Sequence, residues 1–264
     1  MSPGRGALVT SLRVEGRELL FLDEGSFLDA AKNVRGGVPV LFPSPGRLTG
    51  DRYTRGGASG ELGQHGFARN LAFDVVDRAA DSVRLRLDAT AATRAAYPFE
   101  FSLMLAVRVA PGRLLLDATV ENRDDRELPF GLGYHPYFVV PAAKKASARV
   151  PTQATRAFDN VTKALRPLER VELGEGEVDL HLLDHGAARG ELSVDDGTVV
   201  LDGDDAWKRW VVWTLPGRDF VCVEPWTSPA DALNTGEDLL ALAPGASRTL
   251  SLAISWVPAA SAAR

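Results

Sequence analysis

A single cysteine, Cys222, in 264 residues excludes an internal disulfide framework. Four scattered histidines with no CxxC pair leave no structural zinc pattern, so no metal is expected. Long apolar runs are missing as well. Nothing approaches the ~18 residues that a membrane-spanning helix requires, and the opening MSPGRGALVTSLRVEG has no apolar segment of the secretory kind. The expectation is a cytoplasmic protein with no membrane partner. Charge is not concentrated in one place: thirty Lys and Arg stand against thirty-five Asp and Glu, a net charge of -5 with no run of five like charges. That balance argues against a nucleic-acid partner. Gly36 and Gly37 do not form a GxGxxG fingerprint, so no nucleotide cofactor is implied. Helical periodicity is scarce too, and the fold has to stand on strand packing.

What is present is alternation. Period-two runs occupy residues 7–14, 18–22, 73–77, 82–89, 99–109, 113–120, 198–201, 210–215, 220–223 and 250–257, separated by turn signals such as PGR at 111–113 and 216–218, DDG at 195–197 and PGAS at 244–247. Many short antiparallel strands with no helical stretch between them spell an all-β chain, expected as one domain over 1–264. Helix is expected only in connectors, over 29–34 and over 228–237, where Ser228-Pro229 reads as an N-cap followed by proline at the first helical position. Residues 142–148 are the weakest segment for order, and the tail 259–264 is expected to fray. Three loops are too long for hairpin turns: 35–70, with nine glycines and three prolines, 139–170, and the stretch after Glu224. Loops of that length in a compact chain commonly line clefts.

The residues able to do chemistry sit near these loops. His135 lies in Gly131-Leu132-Gly133-Tyr134-His135-Pro136, where two glycines and a proline break an ordinary ladder and imply close approach of the backbone to something else, a ligand or another part of the fold. Glu224 ends the apolar run Val221-Cys222-Val223 and precedes Pro225-Trp226, so a carboxylate stands at a strand end beside an aromatic, with Cys222 on the same face. Burial there would push its pKa upward. His65, in Gln64-His65-Gly66-Phe67-Ala68-Arg69, reads as a hydroxyl donor or a structural imidazole. Arg47, in Pro45-Gly46-Arg47-Leu48, reads as a fork donor or a surface charge.

Taken in order, Gly36-Gly37-Val38-Pro39-Val40-Leu41-Phe42-Pro43 with Gly46-Arg47-Leu48, then His65-Gly66-Phe67-Ala68-Arg69, Gly133-Tyr134-His135-Pro136-Tyr137-Phe138 and Val223-Glu224-Pro225-Trp226, resemble the landmarks of the aldose 1-epimerase (galactose mutarotase-like) family over roughly residues 7–257. The resemblance implies a β-supersandwich of twisted antiparallel sheets with a sugar cleft. It makes His135 the general acid and Glu224 the general base of sugar ring opening, with Arg47, His65 and Asp184 as substrate-binding residues. The HGFAR form resembles the branch that contains glucose-6-phosphate 1-epimerases, and the double-histidine loop of typical galactose mutarotases is absent, so the resemblance leaves the sugar open.

The residue types suit that chemistry. Interconverting anomers needs one group to take the C1 hydroxyl proton and one to protonate the ring oxygen. Near neutral pH an unperturbed Glu is ready to accept, part of a His population is ready to donate, and a nearby carboxylate would enlarge that population. Two other readings compete: a noncatalytic carbohydrate-binding protein, which would not need both His135 and Glu224, and a two-carboxylate glycoside hydrolase, for which Asp184 is the available second acid. The expected partner is a hexose or hexose phosphate, and the expected assembly a monomer or homodimer. Arg35, Arg47, Arg52, Arg55 and Arg69 against only Asp51 and Glu61 make the first long loop basic, a surplus suited to a phosphate or to an ordinary solvated loop.

Overall fold

The computed structural model describes residues 1–259; the expected fraying of the tail falls almost wholly on residues outside that range. Two antiparallel sheets carry the molecule. One has eight strands, running from Ala164–Pro167 through Arg156–Asp159, Val178–Leu182, Arg209–Thr214 and Phe220–Trp226 to Gly133–Tyr134 and Val40–Leu41, with Tyr137–Val139 also paired to Phe220–Trp226. The other has seven, in the order Arg189–Val194, Gly197–Gly203, Ser247–Pro258, Arg113–Asn122, Phe101–Ala110, Ser82–Asp88 and Asp74–Arg78. The pleat sorts side chains between faces. Leu103, Leu105 and Val107, Leu114, Leu116 and Ala118, and Leu250, Leu252 and Ile254 from the second sheet share one buried cluster with Val221, Val223, Val212, Leu180 and Leu182 from the first. The sheets therefore pack face to face as a supersandwich, and the opposite side of the eight-stranded sheet is left free for Asp179, His181, Cys222, Glu224 and Trp226.

The expected strands from 73 onward form with their ends moved by a few residues, whereas 7–14 and 18–22 shrink to the short pair Arg13–Val14 and Arg17–Glu18, other residues of theirs making isolated bridges, Val9 to Val38 and Leu20 to Phe138 among them. Other strands arise inside the expected loops. The apolar island 38–42 of the first loop supplies the Val40–Leu41 strand, and the same loop adds a small hairpin, Arg52–Arg55 with Ala58–Glu61. Arg156–Asp159 and Ala164–Pro167 form an edge hairpin within the second. Residues 142–148 are tied down by Lys145, whose Nζ donates to Thr214 Oγ1 (2.6 Å) and the Leu215 carbonyl (2.7 Å).

Both expected helices are corrected. Helix forms at Glu24–Leu28, before the expected 29–34. The Asp29 carboxylate accepts from the Ala31 N–H (3.0 Å), and Arg5 takes the carbonyls of Ser26, Asp29 and Lys32 that a continuing helix would need. The expected 228–237 helix shrinks to Ala232–Thr235 because Asp231 (φ 62°) and Gly236 (φ 77°) bracket it in the left-handed region. Asp231 spends its carboxylate on the Thr49 N–H (2.9 Å) and hydroxyl (3.0 Å). A third helix, Ala91–Ala96, was not anticipated and is closed by a Thr90/Thr93 capping box. Among the described residues no helix is long and apolar enough to cross a membrane.

Beside the first loop, Phe42, Phe67, Tyr97, Phe99, Phe101 and Phe130 interlock, with ring centroids between 4.8 and 6.3 Å apart. Phe101→Ala is expected to remove about 3–5 kcal/mol of stability, the usual loss for truncating a buried ring. Val76→Ala on the exposed edge strand should change stability by less than about 0.5 kcal/mol. Urea denaturation checks both; equal shifts would mean that the aromatic cluster does not anchor the loop.

Candidate active site

A cavity of about 870 Å³ opens on the free face of the eight-stranded sheet. Its floor follows from strand register. Gly133 pairs with Trp226 and Tyr137 with Cys222, and this common register sets His135 across from Glu224. Neighbours directly opposite in an antiparallel pair share a face. The ladder is interrupted between those two pairs because neither Pro136 nor Pro225 has an N–H to give, while the His135 N–H points to the opposite neighbour and donates to the Pro39 carbonyl (3.0 Å). The outcome is His135 Nε2 at 3.3 Å from Glu224 Oε1, both side chains buried.

The glycines that signalled close approach of the backbone meet protein. A Cβ on Gly133 would lie 2.8 Å from the Trp226 ring and 2.9 Å from Pro45, and one on Gly66 would lie 2.2 Å from the Phe42 carbonyl oxygen. Close backbone packing, rather than contact with a substrate, explains these positions.

Around the pair the cavity is aromatic. Tyr137 stacks on His135 (centroids 4.7 Å apart, planes 12° apart), and Trp213 meets the same imidazole edge-on at 5.5 Å. Trp226 Nε1 donates to Glu224 Oε2 (3.1 Å) while its ring stands edge-on to His65 and His181. Burial dominates the electrostatics. It pushes Glu224 well above the usual carboxylate range, with Asp179 adding to the rise, while the Trp226 N–H and Arg69 draw it back toward ionisation. His135 goes well below the usual imidazole range, first by burial and then by His65 and Arg69. The expectation that the neighbouring carboxylate would raise His135 is corrected: desolvation of a nearly water-free pair outweighs their attraction.

The sequence-derived positions separate into two groups. His65, Arg47, His135 and Glu224 line the cavity together. His65 Nδ1–H donates to the Pro45 carbonyl, which leaves its other ring nitrogen for the cavity. Arg47 sits at the rim, held by Asp51 through two 3.0 Å bonds. Asp184 does not line the cavity. Its Oδ1 accepts from the Thr155 and Arg156 N–H groups (3.0 and 3.1 Å) and its Oδ2 from the Thr155 hydroxyl (2.6 Å), so it fastens the edge hairpin. The acids that face the cavity besides Glu224 are Glu177, which accepts from Trp213 Nε1 (3.3 Å), and Asp179, with His181 beside it (Oδ1 to Nε2, 3.6 Å). Asp179 and His181 lie on Val178–Leu182, whose Val-Asp-Leu-His-Leu alternation was the available signal. Gln64, Arg69, Arg209, Trp213 and Trp226 also line the cavity and were not singled out as site residues by the sequence.

Of the five arginines of the first loop, Arg35, Arg47 and Arg69 reach the cavity. Arg52 pairs with Glu61 at 2.7 Å and Arg55 lies over Gly236. Arg47 and Arg209 carry carboxylate partners; among the described residues Arg35 and Arg69 have none within 4.0 Å. As for metal donors, the fold brings His135, Cys222 and Glu224 within 4.8 Å of one another, a grouping that their sequence spacing did not disclose.

A family model for aldose 1-epimerase matches residues 2–255. A Cenchrus ciliaris protein provisionally named a glucose-6-phosphate 1-epimerase is 29% identical over 244 residues, covering 86% of this chain and 67% of its own. Among solved structures, the Slr1438 protein of Synechocystis sp. PCC 6803 superposes with a TM-score of 0.93 at 32% identity, over 97% of this chain and 90% of that one. A galactose mutarotase-like protein of Lactobacillus casei ATCC 334 gives 0.77 at 25% identity, over 96% and 95%.

Burial holds His65 down to about 3, so its unfolded form binds a proton that the folded form refuses below the ordinary imidazole value. The stability this neutral imidazole contributes is complete above ~6.5 and is lost as pH falls toward the folded value. Between pH 7 and pH 5 the wild type should lose about 2 kcal/mol more than His65→Asn, at ~1.4 kcal/mol per pH unit below ~6.5. Asn tolerates the positive φ of 71° found there. Urea unfolding at the two pH values measures the difference, and parallel losses would show that His65 titrates normally.

Proposed function

The chain belongs to the aldose 1-epimerase family of carbohydrate isomerases, and from that premise we propose that it interconverts the α and β anomers of a hexose, with Glu224 as base and His135 as acid. The observation that carries this reading is the 3.3 Å contact between His135 and Glu224 at the floor of a cavity large enough for a sugar. Burial penalises net charge in the pair, so the two groups hold one proton between them. With that proton on His135, the imidazolium gives it to the ring oxygen while the Glu224 carboxylate takes the proton of the C1 hydroxyl. The ring opens to the aldehyde, turns about C1–C2 and closes on the other face. Trp226 and Arg69 favour the ionised Glu224 that the step needs. The remaining hydroxyls fall to His65, Arg47 and Asp179 in this reading, supported by their position on the cavity wall.

Glu224→Gln is expected to keep the fold and sugar binding but to lower kcat by about 10² to 10⁴, because the amide cannot accept the proton. Polarimetry or NMR of anomer exchange is the measurement. Full turnover in a folded Gln variant removes Glu224 from the mechanism.

A hexose 6-phosphate is the second reading, favoured by Arg35 and Arg69, two cavity arginines without carboxylate partners within 4.0 Å. Charge-assisted bonds from planar guanidinia are the recognition that a phosphate dianion requires. The phosphorylated sugar should then have the higher kcat/KM, Arg35→Ala and Arg69→Ala should each erase part of that advantage, and added salt should shrink it by screening. Equal or better kcat/KM for the free hexose at low ionic strength would leave a general aldose 1-epimerase.

A further inference from the structure

Cys222 takes no part in the proposed reaction, yet the pleat points it the same way as Glu224. The strand paired to theirs sets Tyr137 opposite Cys222 and His135 opposite Glu224. One nitrogen of His135, the Cys222 Sγ and one Glu224 oxygen thus lie within 4.8 Å of one another, and all three residues are buried. His135 is more than nine-tenths buried, and its Nε2 faces the Glu224 oxygen. We propose that these three side chains form a binding site for a thiophilic divalent cation of the zinc type, which enters from the sugar cavity and blocks it.

The geometry needs little adjustment. Zinc bonds of ~2.3 Å to sulfur and ~2.0–2.2 Å to nitrogen and oxygen place tetrahedral donors roughly 3.3–3.7 Å apart. The 3.3 Å His135–Glu224 contact already has that spacing, and a donor set no wider than 4.8 Å has to close by no more than about 1 Å. His135 and Glu224 line the cavity whereas Cys222 lies behind them, so a fourth position faces the cavity and is open to water or a sugar hydroxyl. A three-ligand site with one open position is the arrangement zinc accepts outside closed structural sites. The thiolate selects zinc, cadmium or cobalt over magnesium and calcium. As the metal bonds form, the thiol proton and the one proton held by the His135–Glu224 pair leave to solvent, and the cation offsets the charge of two buried anions. Occupancy ties up the lone pairs of His135 and Glu224, so the ion inhibits. That consequence rests on the proposed acid–base roles; the binding itself does not.

Titration of the wild-type protein with cobalt(II) chloride in a non-chelating buffer should produce a thiolate-to-cobalt charge-transfer band that saturates at one equivalent. With one cysteine in the chain, such a band can come only from Cys222. Zinc chloride should displace the cobalt, and magnesium should not. Cys222→Ser, with Cys222→Ala as a second variant, should lose the band and weaken zinc binding by more than the ~10–100-fold typical of losing a ligand's supporting partner. Either variant should keep metal-free anomer exchange and escape zinc inhibition. No charge-transfer band in the wild type, or zinc binding unchanged in both variants, overturns the site. A band in a protein without anomer exchange upholds the site and sinks the catalytic reading instead.

Discussion

Removing an imidazole and a carboxylate from water is expensive, and the rest of the cavity is organised by that expense. An isolated buried charge is avoided by neutralisation, by pairing or by donated hydrogen bonds. His135 and Glu224 use all three: burial drives each toward its neutral form, they touch, and the Trp226 indole N–H supports the carboxylate. Tyr137, Trp213 and Trp226 pack around the pair and so help maintain the opposed, burial-driven shifts of His135 and Glu224. Pro45 then fixes the positions, since it packs against Gly131 and Gly133 on one side while its carbonyl receives His65 on the other. A methyl group on either glycine would move the floor on which His135 stands.

The eight-stranded sheet divides labour by its pleat. Val221 and Val223 belong to the core shared by the two sheets, while Cys222, Glu224 and Trp226, one residue out of phase, point the other way, Glu224 and Trp226 lining the cavity and Cys222 packed behind it. The same division recurs on Val178–Leu182, where Leu180 and Leu182 are core and Asp179 and His181 face the cavity. Stability and chemistry are thus built from interleaved positions of the same strands.

That interleaving explains what the sequence disclosed. Strands from Ser82 to Asn122 announce themselves because one face is apolar and the turns are marked by Gly and Pro. Glu224 and His135 were legible because each breaks a local rule, a carboxylate ending an apolar run and a histidine among strand-breaking residues. Asp179 was hidden because Val178–Leu182 follows the glycine- and glutamate-rich stretch 172–177 and looks like the end of a loop. Asp184 drew notice in its place, although its contacts with Thr155 and Arg156 are long-range and leave no mark in a local pattern. The glycines of the HGFAR and GYHPYF segments were recognised as sites of close approach, but the approaching partner, protein backbone and proline, belongs to tertiary structure. The two helices moved because side chains distant in sequence, Arg5 and Thr49, took the groups those helices would have used.

The phase of Phe220–Trp226 also bears on how such a chain can diverge. An inserted or deleted residue within the strand would turn Val223 to the cavity and Glu224 to the core, exchanging the roles of two complete sets of side chains at once. Lineages descended from this protein are therefore confined to point substitutions along its central strands, and length variation is left to the connections at the cavity rim. Changes in sugar preference should accumulate there as loops of differing length around a floor whose reading frame cannot move.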